Sequence, residues 1–257
     1  MRRVLVVGVG CGHPDQVTVQ AVRALDEADA LLVVRKEGRE ALAAERQAII
    51  DRHRTAGPLP TVALEDPHRP WRTDPDYDAA VARWQEQRAE RWGRAIADAV
   101  PDGGAALFLA WGDPSLYEST LSIVREIDAR GDVPIEIEVI PGVSALHALT
   151  ARHAVPLNRV GRPVLVSPAR LLTDGLPDGN DDVVLMLDVH GALASIPADG
   201  IDVYWGAYLG TDDELLVSGP LADVRDRIAE LREEAAARKG WMFDIALLRR
   251  RVDGAAW

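Results

Sequence analysis

The chain has 257 residues, 47% of them hydrophobic and 27% charged, which is enough apolar material for a sizeable core and argues against disorder. It has no apolar stretch of about 18 residues and so no expected membrane span. Its net charge of −12 argues against non-specific nucleic-acid binding. A single cysteine, Cys11, excludes an internal disulfide and a multi-cysteine metal site, and suggests a cytoplasmic protein. No metal is expected.

Val4 to Val9 is a short apolar run bounded by glycine, the pattern of a buried parallel strand. Val17, Ala21, Leu25 and Ala28 recur at helical spacing, and Ala30 to Val34 reads as a second strand. Glu37 to Arg54 is helical, Gly57-Pro58 breaks it, and Thr61 to Leu64 is a short strand. A polar, proline-bearing loop spans Glu65 to Pro75. Tyr77 to Val100 is a long charged helix with Val81, Trp84, Trp92, Ile96 and Val100 on or near one face. Strands at 105–110 and 135–140 flank a helix carrying Leu121, Val124 and Ile127. Another helix runs from Ala145 to about His153, and Val155-Pro156-Leu157-Asn158 reads as a linker.

Beyond it, strands are expected at Val164–Ser167, Val183–Asp188, Val203–Tyr208 and Leu215–Ser218. A charged helix from Leu221 to Arg238 and a last strand from Met242 to Leu248 follow. The first half alternates β and α, which implies a parallel sheet with right-handed crossovers. The second half implies a mixed sheet. The fold class is therefore α/β, with one domain over 1–154 and a second over 155–257.

Three strand ends run into small residues: Gly8-Val9-Gly10-Cys11-Gly12, Gly112-Asp113-Pro114-Ser115 and Pro141-Gly142-Val143-Ser144-Ala145. Open α/β sheets bind ligands at such ends, and three together point to one crevice. The first turn does not carry the dinucleotide fingerprint, because position 13 is His13 and the second strand ends in Val34-Arg35-Lys36 rather than an acid. Twelve basic residues crowd one third of the chain: Arg35, Lys36, Arg39, Arg46, Arg52, Arg54, Arg69, Arg72, Arg83, Arg88, Arg91 and Arg94. They read as solvated helix faces or, for a few, as contacts to an anionic ligand.

These residues resemble the tetrapyrrole (uroporphyrinogen and precorrin) methyltransferases, which use S-adenosylmethionine. Four blocks match in order: Val7-Gly8-Val9-Gly10-Cys11-Gly12-His13-Pro14; Trp111-Gly112-Asp113-Pro114-Ser115-Leu116-Tyr117; Val139-Ile140-Pro141-Gly142-Val143-Ser144-Ala145; and Gly210-Thr211 with Glu214 and Ser218-Gly219-Pro220-Leu221. The first block departs from the usual pattern, with Cys11 in place of proline and His13 in place of aspartate. Within the family, the long basic insertion, Pro156-Leu157-Asn158-Arg159, Tyr204-Trp205-Gly206-Ala207-Tyr208 and Arg238-Lys239-Gly240-Trp241 look like the branch that methylates C1 of a precorrin with loss of acetate. Another precorrin or uroporphyrinogen C-methyltransferase and a non-catalytic tetrapyrrole carrier stay open as alternatives.

The resemblance implies a tetrapyrrole methylase fold, two α/β domains with the ligand cleft between them, and a homodimer. It implies that Trp111, Gly112, Asp113 and Leu116 contact the methionine and ribose part of S-adenosylmethionine, later S-adenosylhomocysteine, that Ser144 and Ala145 line the same cleft, and that Gly10 and Cys11 also bind this cofactor. Met186, Leu187, Ala207, Gly210 and Thr211 would meet the adenine end. Methyl transfer from a sulfonium needs alignment more than acid–base help, where orientation contributes ~7–11 kcal/mol. Acetate loss needs a base or oxyanion donors, for which Asp113, Tyr117 and His147 are the candidates. The substrate would be a tetrapyrrole polycarboxylate, with Arg35, Lys36 and Arg69 as candidate partners for its carboxylates.

Overall fold

The computed structural model describes residues 1–34, 40–67, 76–189, 191–239 and 243–251, with 40–43 as backbone alone. The chain divides into two units, Met1–Gly10 with Pro14–Val143, and Cys11–His13 with Ser144–Trp257.

The first unit holds strands β1 (Arg2–Gly8), β2 (Ala30–Val34), β3 (Thr61–Leu64), β4 (Ala105–Ala110) and β5 (Ile135–Ile140). They form a five-stranded sheet in the order β3-β2-β4-β1-β5, every pair parallel. Its helices are α1 (Val19–Glu27), α2 (Glu40–His53), α3 (Tyr77–Ala99) and α4 (Thr120–Arg130). Strand residues alternate between two cores. Val4, Val6, Leu32, Ala106 and Phe108 pack with Trp92 and Ile96 of α3 and Ile123, Val124 and Ile127 of α4. Leu5, Val7, Leu31, Leu107 and Leu109 pack with Ala21 and Leu25 of α1 and Ile49 and Ile50 of α2. Cover on both faces is why these strands are continuously apolar. Each fully buried aliphatic side chain there contributes about 1.5–3 kcal/mol.

Local signals set the helix ends. Thr18 Oγ1 accepts from Ala21 N at 3.1 Å to start α1, and Asp76 Oδ1 accepts from Ala79 N at 3.0 Å to start α3. Gly131, at φ 70°, ends α4. The chain leaves β1 towards the α1 face and leaves the adjacent β4 towards the α4 face, so the sheet has its topological switch point between these two carboxyl ends.

The second unit holds α5 (Ala145–His153), β6 (Val164–Pro168), β7 (Asp182–Met186), β8 (Ile201–Ala207), β9 (Leu215–Pro220), α6 (Leu221–Lys239) and β10 (Asp244–Arg250). The sheet order is β6-β7-β10-β8-β9, with β6 and β7 parallel and the remaining pairs antiparallel, as the mixed-sheet reading expects. Leu221, Ile228 and Ala235 of α6 pack against Val183, Leu185, Val203, Trp205, Ala246 and Leu248.

Helix α5 packs on β8, β9 and β10, and His153 Nε2 donates to the Trp205 carbonyl at 3.0 Å. The sequence reading placed this helix in a domain ending at 154. Its packing places it with the second sheet, and the division falls between Val143 and Ser144. The expected linker at 155–158 is pinned. Arg249 donates to the carbonyls of Pro156 at 2.9 Å and Leu157 at 3.2 Å, while its Nε meets Asp182 at 2.6 Å. Asp182 is fully buried and also receives Arg159 Nε at 3.1 Å, so its charge is compensated by two guanidinium groups. No helix among the described residues is long and apolar enough to cross a membrane.

Candidate active site

Because β1, β4 and β5 run parallel side by side, their carboxyl ends share one sheet edge, and the three glycine turns meet there. Gly10 and Gly112 form an antiparallel bridge, with Gly112 N donating to Gly10 O at 2.7 Å and Gly10 N to Gly112 O at 3.3 Å. The contact is backbone on backbone. A Cβ on Gly142 would lie 2.2 Å from Gly112 O and 2.7 Å from the Gly8 carbonyl carbon, and one on Gly8 would lie 2.6 Å from Gly142 N. Only glycine fits at such distances. The glycine turns after these three strands therefore meet at one corner.

Asp113 fastens the corner. Its Oδ2 accepts from Gly142 N at 2.9 Å, joining the end of β4 to the end of β5. Its Oδ1 accepts from Ser115 N at 2.8 Å and from the Ser115 hydroxyl, closing a tight turn. Leu116 N donates to Asp113 O at 3.2 Å, and Trp111 is half-buried before the turn. Tyr117 follows with φ 53° and is 46% exposed. A left-handed tyrosine is a strained backbone, of the kind that gathers at ligand sites. Cys11 is buried, and burial pushes its thiol up to about 12, which removes it as a nucleophile near neutral pH.

In the second unit, β7 and β8 flank β10 and run the same way, so their carboxyl ends also share an edge. Met186 lies opposite Ile245 and Ala207 opposite Asp244, one residue apart on the same strand. Each strand then turns left-handed on a non-glycine residue, Leu187 at φ 57° and Tyr208 at φ 50°. Tyr208 O accepts from the Thr211 hydroxyl at 2.8 Å, and Gly210 N donates to Glu214 Oε2 at 2.9 Å. Glu214 also takes Arg152 of α5, at 2.6 Å from Nε, so α5 holds the Gly210-Thr211 turn. The structure thus collects Met186, Leu187, Ala207, Gly210 and Thr211 along one edge.

Ser144 and Ala145 begin α5. Ser144 is buried and makes no side-chain cap; its hydroxyl lies 2.7 Å from His147 Nδ1. Arg35, Lys36 and Arg69 lie outside the described residues.

Sequence reading missed two charged clusters. Arg88, expected on a solvated face or against an anion, is buried. Its guanidinium stacks 4.4 Å from the Trp84 ring and 4.5 Å from the Trp92 ring, and its Nε meets Asp66 at 2.8 Å. Spacing of four along α3 carried that signal, since 84, 88 and 92 share a helix face. Asp244 is buried between Arg232 and Trp205, whose Nε1 donates to it at 3.0 Å; burial pushes its carboxyl above the usual range. No local pattern marked it.

Residues 3–225 match the family described as Tetrapyrrole (Corrin/Porphyrin) Methylases. Over 255 residues the chain is 41% identical to the precorrin-6A synthase [deacetylating] of a Sinorhizobium species, covering 98% of this chain and 97% of that one. A crystal structure of a protein described as cobalamin synthesis related (CobF), from Corynebacterium diphtheriae, superposes with a TM-score of 0.84 at 34% identity, covering 97% and 99% of the two chains. The uroporphyrin-III C-methyltransferase of Thermus thermophilus complexed with S-adenosylhomocysteine shares the fold, with a TM-score of 0.56 at 20% identity over 96% and 92%. This parallel sheet with a glycine-built corner, followed by a mixed sheet, belongs to a methyltransferase. The chain is a member of the tetrapyrrole methylase family, whose enzymes depend on S-adenosylmethionine.

Proposed function

We propose that this protein is a deacetylating precorrin-6A synthase, which methylates C1 of precorrin-5 and releases acetate to give precorrin-6A in cobalamin biosynthesis. The observation that carries this reading is the 41% identity to the Sinorhizobium enzyme over nearly the full length of both chains. The 0.84 TM-score to the corynebacterial protein supports the same branch.

Support for S-adenosylmethionine comes from the family match, while the corner itself offers strand ends packed backbone on backbone, where a Cβ on Gly8 or Gly142 would strike its neighbours. When bound, that molecule supplies an electrophilic methyl group on a sulfonium. The chain's own contribution is to hold and aim. Gly10, Trp111, Gly112 and Leu116, with Cys11, Ser144 and Ala145, are the proposed contacts for the methionine and ribose part. Asp113 keeps the corner closed and so preserves alignment, where ~7–11 kcal/mol of barrier lowering is available from orientation alone. Met186, Leu187, Ala207, Gly210 and Thr211 are the proposed adenine contacts. Arg35, Lys36 and Arg69 are proposed to pair with substrate carboxylates, in bidentate fashion for the arginines. A cytoplasmic homodimer completes the reading, and sedimentation velocity tests the dimer.

The test is incubation with S-adenosylmethionine and precorrin-5, followed by mass spectrometry of the pigment and assay of free acetate. Methylated, deacetylated product in step with acetate is the expected result. Methylation at another ring carbon without acetate, or pigment binding without turnover, refutes it.

A further inference from the structure

Acetate release needs a base, and the three candidate residues are not equally placed to act as one. Both carboxylate oxygens of Asp113 already accept hydrogen bonds, from Gly142 N and from Ser115, and that clamp closes the strand corner. Removing its charge would open the corner. Tyr117 is exposed, and among the described residues its hydroxyl has no partner to orient it. His147 differs from both. Its ring is exposed, its Nδ1 lies 2.7 Å from Ser144 Oγ, and its Nε2 has no hydrogen-bond partner among the described residues.

The state of Ser144 is informative. A serine at a helix N-cap ordinarily turns its hydroxyl onto the backbone N–H two or three residues on. Ser144 is the N-cap of α5 and is 5% exposed, yet its hydroxyl makes no cap bond and holds the imidazole instead. The backbone fixes the spacing, since His147 N and Ala148 N both donate to Ser144 O, at 3.1 and 3.0 Å. A base kept in one orientation by a second group, with its other nitrogen open, is the arrangement that general-base catalysis requires.

We propose that His147 is the general base for removal of the acetyl group, with Ser144 as its positioning residue. This rests on the deacetylating reading above. Nδ1–H donates to Ser144 Oγ, which leaves the lone pair of Nε2 to take a proton from water. As that proton leaves, the water oxygen bonds to the acetyl carbonyl carbon. The bond from this carbon to the ring then breaks and its electron pair stays on the ring carbon, delocalised into the macrocycle. Acetic acid departs and ionises, and the imidazolium returns its proton to solvent. No oxidant, reductant or metal enters the balance.

The experiment compares wild-type protein with His147→Ala, His147→Gly and Ser144→Ala, using precorrin-5 and S-adenosylmethionine. Free acetate, pigment mass and S-adenosylhomocysteine affinity by calorimetry are measured for each. Loss of a general base lowers acetate release by about 10²-fold or more. His147→Ala should show that loss while its S-adenosylhomocysteine affinity stays within about threefold. Added imidazole should restore turnover to His147→Gly, which a purely structural histidine would not allow. Ser144→Ala should lose a smaller part of the rate, and imidazole should not rescue it. Wild-type acetate release by His147→Ala, or failure of imidazole to rescue a variant that still binds S-adenosylhomocysteine, overturns the assignment and leaves the proposed function standing. A wild-type protein that methylates without releasing acetate overturns both.

Discussion

Replacing Gly142 with alanine tests the central geometry most directly. The added methyl carbon would sit 2.2 Å from Gly112 O and within 2.8 Å of two Gly8 backbone atoms. A carbon normally stands more than about 3.3 Å from a carbonyl oxygen, so the Gly142 turn after β5 would have to withdraw by roughly 1 Å from Gly112 and Gly8. All the opposing atoms are backbone, and none can swing away as a flexible side chain would. Overpacking alone costs about 1–3 kcal/mol. Withdrawal also strains the bond from Gly142 N to the Asp113 carboxylate, and hydrogen bonds to charged groups contribute about 1.5–3 kcal/mol. The sum is about 2.5–6 kcal/mol. With a urea m-value of about 2–3 kcal/mol/M, the unfolding midpoint should fall by roughly 1–3 M. S-adenosylhomocysteine binding should be lost under conditions where the variant is still folded. A Gly142→Ala protein with the wild-type midpoint and affinity would show that the three strand ends are not in contact.

Gly93, inside α3, predicts the opposite sign. Its added Cβ would meet Ile127 and Val133 methyl groups at an ordinary 3.4 and 3.6 Å, so Gly93→Ala should stabilise by about 0.5–1 kcal/mol and raise the thermal midpoint by roughly 2–4 °C. Arg88→Met should cost about 3–5 kcal/mol, because it strands the Asp66 carboxylate; adding Asp66→Asn should recover a large part, both read by urea unfolding. With its thiol raised to about 12, Cys11 should be alkylated by iodoacetamide about three orders of magnitude more slowly at about pH 8 than an unperturbed thiol of pKa about 8.5. It should react normally once the chain is unfolded, as mass spectrometry would show.

Much of this architecture is legible in the chain because buried parallel strands leave an unambiguous record. Val4–Val7 and Ala105–Ala110 are apolar at every position, the first running into Gly8 and the second reaching Gly112 after Trp111. Nothing local reveals the partner of Asp113, because Gly142 lies 29 residues further on and its backbone N–H is common to almost any residue. The left-handed turns at Tyr117, Leu187 and Tyr208 escape for a related reason: their residue types ordinarily avoid that conformation, and only the surrounding packing imposes it. The boundary at 154 read from sequence and the contact division at Val143/Ser144 differ over Ala145–His153, which continues the β–α rhythm of the first sheet. What decides its allegiance is packing against β8 to β10, which are supplied by residues after 200. Arg88 shows a readable signal passed over, since charge count alone cannot separate a guanidinium facing solvent from one stacked between two indoles.

The meeting of Gly8, Gly112 and Gly142 has a consequence for which sequence changes this corner accepts. A corner made of peptide groups has no rotamers, so its shape is settled when the chain folds. Tolerated substitutions should therefore fall around Gly8 and Gly142 and not at them.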